Sequence, residues 1–195
     1  MKNMMTLLLT LLPFGIGYGQ MIQANYKSPL PALQQQGWQI HSHSLSFDEQ
    51  TIVFSAKAPE QTHYDLYRAR KNGKAWEQVT ALTTLNTSAD ELYPTLGSSE
   101  QDLLFVKRSE ELGKGKKIVE RYYLMSSSLV HSQWSAPDVI IISQGGDISP
   151  VLLADNKTVI FASSRTTADK KEGNFALFYT QRIDLVESYY SAMVY

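Results

Sequence analysis

Three stretches of this 195-residue chain spell the same short hairpin, and that repetition constrains the fold more than any other feature. In Ser149 to Arg165 (SPVLLADNKTVIFASSR), Val151 to Ala154 is a short apolar run. Asp155 and Asn156 supply turn chemistry, and Thr158 to Ala162 is β-branched and aromatic, as a packed strand requires. Tyr93 to Arg108 repeats the pattern, with Pro94 for Pro150 and Phe105 for Phe161. His43 to Lys57 is a third copy, with Asp48 at the turn and Phe54 on the second strand, but His43 stands where proline is expected.

After each hairpin comes a second strand pair. In the first unit Tyr64 to Arg70 leads to Asn72-Gly73, a strong signal for a two-residue turn, and Lys74 to Leu82 returns. The second unit has Arg121 to Ser127 and Gln133 to Ile142, with Trp134 matching Trp76. The third has Phe175 to Arg182 and then Val186 to Tyr195, without a matching tryptophan. Phe54 and Phe105 are 51 residues apart, and Phe105 and Phe161 are 56 apart. A period near fifty, with four short strands per unit, is how β-propeller blades read. An immunoglobulin-like sandwich, the competing all-β reading, does not repeat one hairpin at a fixed interval. The expected fold is therefore all-β: three four-stranded propeller blades, at about residues 42–83, 92–142 and 148–195, forming a partial or open propeller.

Composition narrows the function classes. The formal net charge is −1, so no long-range field draws the chain to nucleic acid. There is no cysteine, which excludes disulfides, thiolate catalysis and Cys-bearing zinc sites. Residues 1–19 read as a secretory signal: Lys2, an apolar run from Met4 to Leu12, Pro13, then Gly17 and Gly19 before a cut ahead of Gln20. The apolar run is shorter than the ~20 residues of a spanning helix, so no transmembrane span is expected after cleavage. Residues 20–41 read as an extended lead-in, with Pro29 and Pro31 arguing against a helix. LPALQQQGWQ within it parallels Leu82 to Glu91, as though the chain entered at the end of one repeat. The propeller repeats then occupy residues 42–195.

The patterns N-x-x-x-D-E-x-Y-P-T-L (Asn86 to Leu96), S-P-x-L-x-A-D-x-K-x-x-x-F-A-S-S-R (Ser149 to Arg165) and Y-D-L-Y followed by W (Tyr64 to Trp76) resemble TolB-like β-propeller repeats. The resemblance runs over about residues 41–182. It implies a periplasmic propeller of the kind often found ahead of an OmpA-like peptidoglycan-binding domain.

Candidate chemistry is sparse. His41 and His43 alternate and would share a strand face, but no third metal ligand stands at a convincing spacing. Glu91 and Asp147 each sit three residues before the repeat proline. Two carboxylates can do acid–base work, yet recurrence points to a structural task in the crossing between units, such as accepting backbone N–H bonds. Arg108 and Arg165 end equivalent strands and could line one face as anchors for a carboxylate-bearing partner. Leu112 to Lys117 (LGKGKK) lacks the P-loop order and reads as a solvated hairpin tip. No catalytic, cofactor-binding or metal-ligating residue is expected, and no cofactor. Arg108, Arg165, Glu91 and Asp147 remain as candidate partner-binding residues.

The expectation is a non-catalytic binding or scaffold module, periplasmic, extracellular or outer-membrane associated, engaging a protein or glycan of the cell envelope. The rival is the propeller module of a carbohydrate-active enzyme or serine peptidase without its catalytic part. An open fan would leave apolar faces uncovered at both ends, so self-association through those faces is also expected.

Overall fold

The computed structural model describes residues 28–143, 146–165, 175–181 and 192–194. The expected signal at residues 1–19 lies outside the described residues. The first described element is a short helix, α1 (Pro31–Gln35), where an extended lead-in was expected. Pro31 occupies the first helical turn, where its missing N–H would have no intrahelical partner and its fixed φ suits the helix. Proline there starts a helix instead of forbidding one.

Apart from one 3-10 turn (Lys114–Lys116), the elements described after α1 form three antiparallel sheets, none of them closed. The first runs in chain order through β1 (Gln39–Leu45), β2 (Thr51–Lys57), β3 (Asp65–Asn72) and β4 (Ala75–Ala81). The second contains β5 (Asp90–Leu96), β6 (Asp102–Leu112), β7 (Ile118–Val130), the two-residue β8 (Gln133–Trp134) and β9 (Asp138–Ser143). Both β8 and β9 pair with β7. The third is β10 (Ile148–Leu152), β11 (Thr158–Ser163), β12 (Ala176–Gln181) and β13 (Ala192–Val194). Although no tryptophan marks it, β13 fills the fourth position.

The first hairpin of each sheet closes in the same way. Ser46, Gly97 and Leu153 donate their N–H groups to the carbonyls of Thr51, Asp102 and Thr158. Within the loops, Glu49, Glu100 and Asn156 donate back to Ser46, Gly97 and Leu153, and all three have left-handed backbone, with φ of 56°, 57° and 53°. Asp48 and Asp155 accept the N–H groups of Gln50 and Lys157, the local bonding that suits aspartate to turns. The β3–β4 turn differs from expectation by one residue: Asn72 is still paired, with Ala75, so the loop is Gly73-Lys74. Gly73, at φ 59°, takes the first loop position, where a primed turn needs positive φ.

The repeat proline marks a bulge. In the second sheet the register jumps between Leu92 and Thr95, so that Tyr93 and Pro94 face Phe105 alone. In the third it jumps between Ile148 and Val151, with Ser149 and Pro150 facing Phe161. Tyr93 and Ser149 share a φ of 51°. Proline has no N–H for a ladder, so an edge-strand bulge suits it. The first sheet has His43 here, paired regularly with Phe54, and its bulge falls at His41 instead.

Side chains alternate across each strand, and the sheets stack through opposite faces. Val53 and Leu66 of the first sheet pack on Leu103, Phe105 and Met125 of the second. Leu104, Val106 and Leu124, on the second sheet's other face, pack on Val159, Phe161 and Phe178 of the third. Among the described residues no sheet precedes the Phe54 face of the first sheet. Leu30, Leu33 and Trp38 of the lead-in cover it, and Phe54 is fully buried. The end expected to be open is therefore capped: Leu30 and Leu33 do for Phe54 what Leu82 and Leu85, also three residues apart, do beside Phe105.

Candidate functional site

The chain between the first two sheets is held by side chains that act on backbone. Asn86 accepts the Leu66 N–H (2.8 Å) and donates to the Leu66 carbonyl (3.0 Å). Asp90 accepts the Tyr64 N–H at 2.8 Å. Glu91 donates its own N–H to the Tyr64 carbonyl (2.7 Å), and its carbonyl accepts the Ser55 hydroxyl (2.5 Å). Its side chain, fully buried, accepts the Thr87 N–H and hydroxyl at 3.1 and 2.6 Å. Burial pushes the Glu91 carboxyl up to about 7, against the pull of those donors. Hydroxyls bridge the first strands of the sheets as well. Ser42 and Ser44 of β1 accept the N–H groups of Tyr93 and Leu96, and Thr95 donates to the Pro150 carbonyl. Edge strands whose outward N–H groups lack a ladder are satisfied in this way.

At the end of the stack away from the β1–β2, β5–β6 and β10–β11 turns, charged and aromatic groups converge. Arg108 donates to Asp90 through Nε (3.1 Å) and Nη2 (2.5 Å). Loss of hydration opposes charge on Asp90, but the Tyr64 N–H and Arg108 outweigh it and hold its pKa below the ordinary carboxylate value. The His41 ring stands edge-on to Tyr64 and Tyr93, with centroids 5.2 and 4.8 Å away. Although His41 is exposed as a residue, reduced hydration, helped by Arg108, lowers its pKa. Lys57 lies over Tyr64 at 4.4 Å, and Tyr122 donates to Glu120 at 2.8 Å. In the third sheet Arg165 pairs with the fully buried Asp147 and lies 5.3 Å from the Phe161 ring and 5.0 Å from Phe178.

The four residues singled out from sequence therefore fall at one end of the second and third sheets, in two roles. The Arg108 and Arg165 side chains are 37% and 26% exposed. Glu91 and Asp147 have no exposed surface; Glu91 holds the crossing between the first two sheets, and Asp147 holds Arg165. The proline offset matched Glu91 to Asp147, whereas the ion pairs match Asp90 to Asp147. Asp90–Arg108 and Asp147–Arg165 are both 18 residues apart, carboxylate and guanidinium having slid by one residue together. Asp147 combines the burial of Glu91 with the pairing of Asp90. Sequence reasoning missed the joint Asn86 forms and the Tyr64–His41–Tyr93 cluster. Asn86 lies twenty residues from its partner, and the aromatic cluster depends on how two sheets abut. His41 sits in a bulge, so it and His43 do not alternate simply. Among the described residues no group of three or more His, Asp or Glu side chains is placed to hold a metal ion.

The turn-bearing end carries a cleft of about 340 Å³ between the second and third sheets. Asp102, Ser128, Asn156 and Lys157 are among its lining, and Ser128 already donates to Asp102 at 2.9 Å.

No protein-family model matches this sequence, and no curated protein does. Among solved structures it is similar to one described as a structural and mechanistic analysis of two prolyl endopeptidases and the role of inter-domain dynamics in their catalysis and specificity. The TM-score is 0.41 at 12% identity, over 80% of this chain and 22% of that one. The chain thus spans well under two thirds of that structure, and no residue role is carried over from it.

Proposed function

We propose that the three sheets are consecutive blades of a TolB-like β-propeller, and that the chain is a non-catalytic module of the cell envelope. It is exported by residues 1–19 and binds an acidic surface of a protein or glycan at the end holding Arg108 and Arg165. The observation that carries this reading is the recurring ion pair. Asp90 and Asp147 fix an arginine at the same end of successive sheets, beside His41, Tyr64, Tyr93 and Tyr122. Preorganised arginines and aromatic rings are the residue types that dominate binding surfaces, because they bring contact area and charge at low ordering cost.

The test is retention of envelope proteins and peptidoglycan fragments on the immobilised chain, compared with an Arg108→Ala/Tyr93→Ala variant. Loss of a specific retained partner, with the variant's circular dichroism unchanged, is the expected result. Undiminished retention would remove the proposed site. N-terminal sequencing of the exported product checks the cut ahead of Gln20.

A further inference from the structure

We propose that the tip of the β6–β7 hairpin is a membrane-contact site that enters the headgroup layer of an anionic lipid bilayer. Pairing of β5 with β6 ends at Asp90–Arg108, and pairing of β9 with β7 ends at Tyr122–Ser143. Beyond those points β6 and β7 pair with each other alone among the described residues, from Ser109–Arg121 to Leu112–Ile118. At about 3.4 Å per residue, these four pairs project roughly 14 Å past the end of the sheet that carries Arg108. The Gly113 N–H donates to the Lys117 carbonyl at 2.8 Å and closes the turn. Leu112 and Ile118 stand directly opposite, on one face, and are 79% and 68% exposed. Between them the chain carries Lys114, Lys116 and Lys117 and no acidic residue. Lys116 and Lys117 are exposed. The carboxylates lie further back. Glu110 faces Glu120, which accepts the Tyr122 hydroxyl, and Glu111 accepts the Tyr123 hydroxyl and pairs with Arg121.

Two observations select a lipid surface as the occupant. The first is shape. A narrow projecting ribbon with two large apolar side chains falls far short of the roughly 800 Å² that each partner gives to a stable protein interface. A bilayer needs no matched surface to receive them. The second is charge. The lysines of the turn are complementary to anionic headgroups within a Debye length of about 8 Å, even though a net charge of −1 gives the whole chain no long-range attraction. Apolar side chains beside lysines on one projecting edge are what interfacial insertion uses, the ammonium groups staying with the headgroups. Glu110 and Glu120, two residues behind the apolar pair on the same face, keep the insertion shallow.

The apolar run from Met4 to Leu12 can itself bind lipid, so the readout on the full chain has to be local. Because the chain has no cysteine, Leu112→Cys adds one site for an environment-sensitive dye. Its emission should shift to the blue with vesicles of phosphatidylglycerol and phosphatidylcholine, and stay unshifted with phosphatidylcholine alone. The same dye on Phe47→Cys, an exposed apolar position between β1 and β2, should not shift, which controls for the dye's own affinity. Adding Lys116→Glu and Lys117→Glu to Leu112→Cys should abolish the shift with circular dichroism unchanged. No shift at Leu112→Cys, equal shifts at both positions or with both lipid mixtures, or a shift that survives loss of the lysines would overturn the proposal. A shift with polyglutamate but not with vesicles would also overturn it and assign the tip to an acidic protein.

Discussion

At the scale of single residues, Glu91 sets a pH dependence of known sign. Its folded pKa of about 7 lies above the ordinary 4.5, so the folded chain binds the proton more tightly. Stability from this group is complete below 4.5 and is lost as pH rises through 7. The difference amounts to about 3 kcal/mol. His41 and His43, lowered by burial, act in the opposite sense just below 6.5. Glu91→Gln isolates the carboxyl: urea denaturation at pH 5 and pH 8 should show the variant gaining on the wild type by roughly that amount at the higher pH. Asn86 offers a second check. Asn86→Ala leaves the Leu66 N–H without an acceptor and should cost ~1–3 kcal/mol in the same assay. Asn86→Asp, of unchanged volume, sets a second acceptor against the Leu66 carbonyl where Asn86 donates and should also lose stability, a loss that a mere volume effect would not produce.

At the scale of elements, the three turns make a direct prediction. Glu100 holds a left-handed φ without the freedom of glycine, so Glu100→Gly should raise stability by up to about 1 kcal/mol in thermal melts, with its N–H to Gly97 retained. These turns and their strands were legible in sequence. Aspartates at the loops and β-branched runs after them are local signals, and local geometry answers to them. The proline offset pointed to the right place, but its meaning as a bulge shows only in the pairing with Phe105 and Phe161. Where two local rules competed, sequence alone chose wrongly. Pro31 suits a first helical turn as well as an extended segment, and the lead-in leucines packing on Phe54 favour the helix. Likewise Asn72 and Gly73 both accept positive φ, and strand register, a longer-range property, leaves the loop to Gly73-Lys74. The site was half legible: the arginines and carboxylates stood out by recurrence, while Asn86 and the aromatic cluster required knowing which strands abut.

At the scale of the molecule, the stack is asymmetric. Each sheet turns its Phe-bearing face toward the N-terminal side, and the first two turn their leucine-bearing faces toward the next sheet. Leu30 and α1 close the first end, and Leu177 stands out at the other. Hydroxyl bridges between β1, β5 and β10 keep the sheets in register, while burial of Phe105 and Phe161, each worth roughly 1.5–3 kcal/mol, holds them together. The central claim is that the leucine-bearing face of one sheet meets the Phe-bearing face of the next, in order along the chain, and a double-mutant cycle tests it most directly. Leu124→Val and Phe161→Leu change one cluster from two sheets, while Phe54→Leu changes a separate cluster. Chemical denaturation should give a coupling between Leu124 and Phe161 above about 0.5 kcal/mol, and none beyond error between Leu124 and Phe54. Additivity of Leu124 with Phe161, or equal coupling in both pairs, would contradict the stacking described here.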